Sequence, residues 1–221
     1  MKRFGILLLV VLTSVSLFSK ESLMTYPAPQ GAALNDDFTV RVRQKGGEWR
    51  ALSTYLVKVD EVKNTKHHVE NASMATFDFS GTVEVAVTYN KGKVNTARIR
   101  PLSHNISSQI EDQTVVFSLS RPCNLSVEVN GDIFHNLHLF ANPLEESVPD
   151  KNDPDVLYYA PGIHTFENGE LRVPSGKIVY LAGGALLMGR VVIENVHDVK
   201  LIGRGIIDHT VKGGIDRKSV V

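Results

Sequence analysis

The chain has one cysteine, one tryptophan and no excess charge of either sign, with 24 basic residues against 24 acidic ones in 221. A single cysteine excludes an intramolecular disulfide framework and any multi-cysteine zinc site. Charge neutrality gives no general attraction to nucleic acid or to an anionic membrane surface. Between residues 38 and 140 no stretch sustains a helical period. What is present is apolar side chain, 43% of residues, which at zero net charge is too much for a disordered chain. The length suits one large or two small domains.

The N-terminus has three parts. Met1-Lys2-Arg3 is positive, Phe4 to Leu12 is apolar, and Thr13, Ser14, Ser16 and Ser19 precede Lys20-Glu21. This order predicts a signal peptide over 1–20, cleaved close to Ser19. The apolar core is short for a bilayer of about 30 Å. An N-terminal anchor helix is the competing reading. No cysteine lies near the cleavage region, which excludes a lipidated one. The expected location is outside the cell or the periplasm, with no stable membrane insertion after cleavage.

Residues 25–142 read as a β-sandwich. Phe38, Val40 and Val42 alternate with Thr39, Arg41 and Arg43, and Val83 to Tyr89 alternates for its full length. Further short runs centre on Met74–Phe79, Val115–Leu119, Leu125–Val129 and Leu137–Phe140. Turn residues such as Asn90-Lys91-Gly92-Lys93 and Asn130-Gly131-Asp132 separate them. Many short alternating strands predict two packed antiparallel sheets. Candidate sites here are weak. Cys123 reads as a small, partly apolar residue. His135 and His138, three apart on a strand, point to opposite faces, and the neighbours His67 and His68 diverge likewise, so neither pair suits a metal. Trp49, Tyr55 and Tyr89 could stack on sugars, but are expected in the core.

Residues 143–157 carry Pro143, Pro149 and Pro154 among acidic side chains and read as a solvated linker. Asp150, Asn152, Asp153 and Asp155 lack the glycine and terminal glutamate of a calcium loop. The pattern then changes. Ile178 to Leu186 overlays Val199 to Ile207, with Ile178 on Val199 and Gly184 on Gly205, an offset of 21. Short strands with glycine corners at that period predict stacked rungs of a parallel β-helix over 158–215. Gly183-Gly184 and Gly203-Arg204-Gly205 precede no helix, so they read as corners rather than phosphate loops.

Three stretches, Ala160-Pro161-Gly162-Ile163-His164, Val173 to Ala185 and Leu201 to Asp208, resemble the opening rungs of the right-handed β-helix glycoside hydrolases. These include the polygalacturonase (pectinase) and dextranase-isopullulanase groups. The upstream segment ending in Phe134-His135-Asn136-Leu137-His138-Leu139-Phe140-Ala141-Asn142-Pro143 resembles the N-terminal domain of many bacterial members. The resemblance implies an all-β chain, a β-sandwich followed by a truncated β-helix, from an enzyme that hydrolyses a polysaccharide with paired carboxylates. It implies a polysaccharide partner, no nucleic acid, no cofactor, and a monomer when full length. The family's catalytic motifs fall on later rungs. Asp208 alone occupies a family-like position, followed by His209 where members often have glycine, and it reads as a turn or structural residue. No residue is therefore assigned a catalytic, cofactor-binding or metal role. A polysaccharide lyase and a non-catalytic carbohydrate-binding β-helix are the alternatives. Asp216 to Val221 continues neither rung, and is expected to be a non-native tail from a translated sequencing adapter.

Overall fold

The computed structural model describes residues 22–209 and the backbone of 218–220. The expected signal peptide over 1–20 lies outside the described residues, as does the tail over 216–221 apart from that short backbone run. In chain order the first unit comprises β1 (Leu23–Thr25), β2 (Phe38–Gln44), β3 (Arg50–Leu52), β4 (Tyr55–Lys63), β5 (Lys66–Phe79), β6 (Val83–Tyr89), β7 (Ala97–Arg100), β8 (Ser108–Glu111), β9 (Thr114–Leu119), β10 (Cys123–Val129) and β11 (Asp132–Pro143). One 3-10 turn, Leu102–His104, links β7 to β8. The second unit comprises β12 (Val156–Tyr159), β13 (Gly162–Arg172), β14 (Ile178–Leu181), β15 (Ala185–Val192), β16 (Lys200–Gly203), β17 (Ile206–Asp208) and β18 (Lys218–Val220). The fold is all-β.

A five-stranded sheet in the order β3-β2-β6-β9-β8 faces a six-stranded sheet built on β1-β5-β11-β10-β7, with β4 on β5. Alternation places Val40, Val42, Val83, Val85, Val87, Val115 and Phe117 of the first against Phe77, Phe79, Val127, Leu137 and Leu139 of the second, in one dry core. The antiparallel expectation needs one correction, because β11 runs parallel to β5, with Leu137 opposite Ser73 and Phe140 opposite Thr76. A period of two reveals which residues face inward. It carries no information on strand direction. Another correction concerns Trp49, which is absent from the core. It lies half-exposed across the guanidiniums of Arg41 and Arg43, 5.5 and 4.4 Å from its ring centre. Tyr55 is buried and Tyr89 packs against Phe38.

The second unit is two parallel sheets. β12-β14-β16 forms one, and β13-β15-β17 forms the other, with β18 antiparallel on its edge. β12 begins at Val156, inside the stretch read as linker. The offset of 21 is corrected to two values. In the first sheet Val179 lies between Leu157 and Leu201, a step of 22 residues on either side. In the second, over the same rungs, Leu186 pairs Ile206 and Leu187 pairs Ile207, a step of 20, while the preceding step, Ile163 to Leu186, is 23. The overlay took the mean of two unequal steps, and a slip of one residue exchanges inside for outside. Inward lie Leu157, Val179, Leu181, Leu187, Leu201 and Ile207. Outward on the first sheet, Tyr158 stacks on Tyr180 at 5.1 Å, and Glu145 accepts the Tyr180 hydroxyl at 3.0 Å. At that point the connector is a strap on the sheet. From Glu146 to Asp155 it is exposed except at Pro149.

Candidate functional site at the junction of the two units

The outer face of the six-stranded sheet supplies Tyr55, Val57, Ala72 and Met74, and the second unit packs Leu186 and Ile206 onto them. This apolar seam is flanked by a polar cluster. Asp78, near the end of β5, has a fully buried side chain. Its Oδ2 accepts the Arg204 Nε–H at 2.6 Å and the Tyr26 hydroxyl at 2.9 Å, while Oδ1 accepts Asn142 Nδ2–H at 3.4 Å. Arg204 also donates to the carbonyls of Pro143 and Gly203. Four segments far apart in sequence therefore meet at one carboxylate.

Backbone shape makes the cluster possible. Gly203 has φ +129, and a Cβ there would fall 2.0 Å from the Leu181 carbonyl oxygen, so a side chain would push the third rung off the second. Arg204 and Gly205 donate their N–H groups to that same oxygen. The ring of Tyr26 rests on Gly183, where a Cβ would fall 2.0 Å from Tyr26 Cδ1. The glycines are corner residues as expected, and at Gly183 the reason is close approach of the other unit.

Burial first, then Asp78, holds the Tyr26 phenol far above its ordinary value. Burial followed by the Glu145 hydrogen bond does the same to Tyr180. Burial alone pushes Tyr55 up to about 12. These phenols stay neutral donors near neutral pH. With both oxygens of Asp78 accepting hydrogen bonds and its charge matched by Arg204, the cluster ties the two units together.

Elsewhere the residues weighed from sequence are dispersed. His135 sits between Asp132 and Glu70, whereas His138 is half-buried on β11 opposite Ser126. His67 bonds Asp60. Cys123 is half-buried, its thiol pushed up by burial against a smaller opposing effect of Arg121. Asp208 is buried at the end of β17, opposite Met188. Among the described residues no three His, Cys, Asp or Glu gather as a metal would require, and no helix is long and apolar enough to cross a membrane. Sequence reasoning missed Tyr26, Asp78 and Asn142 altogether. A short polar residue inside an alternating strand carries no signal of a partner 126 positions away.

The architecture so defined is an all-β sandwich carrying parallel rungs on its outer face. It is similar to the solved structure of Dex49A from Penicillium minioluteum, a dextranase and right-handed β-helix glycoside hydrolase, with a TM-score of 0.57 and 18% identity. The likeness covers 83% of this chain and 47% of that one, so the chain spans about half the neighbour's length. No family model and no curated sequence matches the chain.

Proposed function

We propose that this chain belongs to an exported glycoside hydrolase that cleaves a polysaccharide, with the described residues forming its support. The observation that carries this reading is the likeness in fold to Dex49A over 83% of a chain built as a sandwich, a strap and docked rungs. In such an enzyme one carboxylic acid protonates the leaving oxygen and another carboxylate activates water or attacks the sugar. The described rungs present no such pair in an open cleft. Asp78 is saturated with donors and Asp208 is buried. The catalytic carboxylates accordingly belong to rungs outside the described residues, and the seam fixes where those rungs stack. The Met1–Lys20 segment supports export, and the whole protein acts as a monomer.

The test is to assay the protein encoded by the complete locus on α-glucans and on pectic polysaccharides. New reducing ends without ultraviolet absorbance are expected. Unsaturated products absorbing in the ultraviolet would establish a lyase instead, and no cleavage of any polysaccharide would leave a binding β-helix.

A further inference from the structure

The outer face of the five-stranded sheet points away from the rungs. The register aligns two rows of side chains across the strands. Arg43, Glu84 and Ser118 stand opposite one another on β2, β6 and β9, and Arg41, Ala86, Val116 and Gln109 form the next row through β8. At one end Trp49 lies over both arginines. At the other a groove of about 570 Å³ opens between β9 and the 3-10 turn, lined by Glu84, His104, Gln109, Ser118 and Arg121, with Phe117 among its apolar residues.

Two features of this face fit a ligand. The indole is a flat apolar plate, and its breadth suits the C–H face of a pyranose. Short neutral hydrogen-bonding groups, Ser118, Gln109 and Ser107, line the groove, and each can serve sugar hydroxyls as donor or acceptor. Charge then selects among sugars. Glu84 is bonded to Arg43 at 2.6 Å, while Arg41 and Arg121 face no carboxylate within ion-pair distance among the described residues. A guanidinium fork matches a planar carboxylate in two parallel hydrogen bonds. Strands about 4.8 Å apart place β2 and β9 about 10 Å from each other, room for more than one sugar ring.

We propose that this outer face is a second carbohydrate site, remote from the rungs, that binds a glycan bearing carboxylates, with Trp49 as its stacking plate and Arg121 as the carboxylate contact. It rests on the carbohydrate reading of the chain but requires no catalysis here. It would keep a polymeric substrate tethered while the rungs act on another stretch.

Trp49 is the chain's one tryptophan, so its emission reports directly on the plate. The 221-residue chain is titrated with trigalacturonate, and with maltotriose as the neutral counterpart, by tryptophan fluorescence and calorimetry. Trigalacturonate is expected to change the emission saturably and to release matching heat, with affinity falling as salt is added. Maltotriose is expected to do neither. Arg121 is exposed, so Arg121→Gln leaves the fold intact and is expected to weaken binding at least about tenfold, since the charged two-pronged contact is lost. Trp49→Phe keeps a smaller plate and is followed by heat alone, as a check that the optical signal arises from contact. Absence of both signals with trigalacturonate overturns the site, and equal binding of maltotriose or an unaffected Arg121→Gln chain overturns its chemistry. None of these failures touches the glycosidase reading, which stands or falls on reducing ends.

Discussion

The sandwich and the rungs solve the problem of burial differently. The sandwich closes its core between its own two sheets, and Phe77, Val85, Val127 and Leu139 are dry without any help from residues beyond Ala141. The rungs keep a thin internal column, Val179, Leu181 and Leu187 among its few buried members, and lay Leu186 and Ile206 on the sandwich's outer face. A rung cannot bury its apolar face alone, so stacking or docking must complete it. Here the sandwich acts as a side wall, and the buried ion pair Asp78–Arg204 sets the position of the third rung on it.

The largest effect expected is at that pair. Arg204→Ala leaves Asp78 buried without its cation, and about 3–5 kcal/mol of rung stability should be lost. Replacing both partners, Asp78→Leu with Arg204→Met, should recover most of it, because an apolar pair of similar volume needs no charge compensation. The matching cut inside the sandwich is Arg43→Ala, which breaks a half-exposed pair with Glu84 and should cost no more than about 1 kcal/mol. Denaturant melts with hydrogen exchange resolved by segment would read both. A loss below about 1 kcal/mol in Arg204→Ala would mean that the apolar seam alone holds the units together.

Next in size are matched core truncations. Leu137 and Leu187 are both fully buried, and Leu→Ala should cost about 2–5 kcal/mol at either. The consequence should differ. Leu137→Ala weakens the wall, so amide protection falls in both units, whereas Leu187→Ala lowers protection in the rungs alone. Equal loss of protection in the sandwich for both variants would show one cooperative unit and erase the asymmetry.

Glycine substitutions probe the same contrast at lower cost. Gly131 in the β10–β11 turn has φ +80 with open space around it, so Gly131→Ala should cost only the left-handed backbone penalty, about 1 kcal/mol. Gly203→Ala adds a collision with the Leu181 carbonyl, and should cost more than the about 1–3 kcal/mol typical of a strained backbone position. Thermal melts of the two variants suffice. Similar midpoints would mean that the third rung can shift aside, against the idea that its position is fixed.

How far the sequence could be read follows the same division. Alternation at Phe38–Arg43 and Val83–Tyr89 identified the sandwich core, because half-buried strands write their burial directly into a period of two. The rungs were legible as a repeat but their register was not. Corners of unequal length make the step 22 on one sheet and 23 then 20 on the other, and no single offset fits both. Trp49 deceived because aromatic residues are read as core, while here two arginines on one strand face hold it outside. The seam was invisible. Tyr26, Asp78, Asn142 and Arg204 belong to four unconnected stretches, and only the parallel run of β11 beside β5 brings Asn142 and Asp78 together.

The smallest effect expected is on pH, and it divides a single strand of the wall. His138, in the interior of β11, has its imidazole pushed below its ordinary value by burial. The folded state therefore favours the neutral ring. That contribution is present above the unfolded value near 6.5 and is lost as pH falls through the lower folded value. His135, exposed toward the start of β11, is raised by its hydrogen bond to Asp132, with Glu70 adding to the effect. Its contribution is full below the unfolded value and is lost as pH rises through the higher folded one. Two histidines three positions apart thus tilt stability in opposite directions. His138→Gln should flatten the acid side of the stability profile, and His135→Gln the side above neutrality. Proton NMR titration of the two rings separates them, since His138 should titrate below and His135 above a histidine in a short peptide. If both titrate together, the burial of His138 on β11 is wrong, and with it the packing of the wall on which the rungs depend.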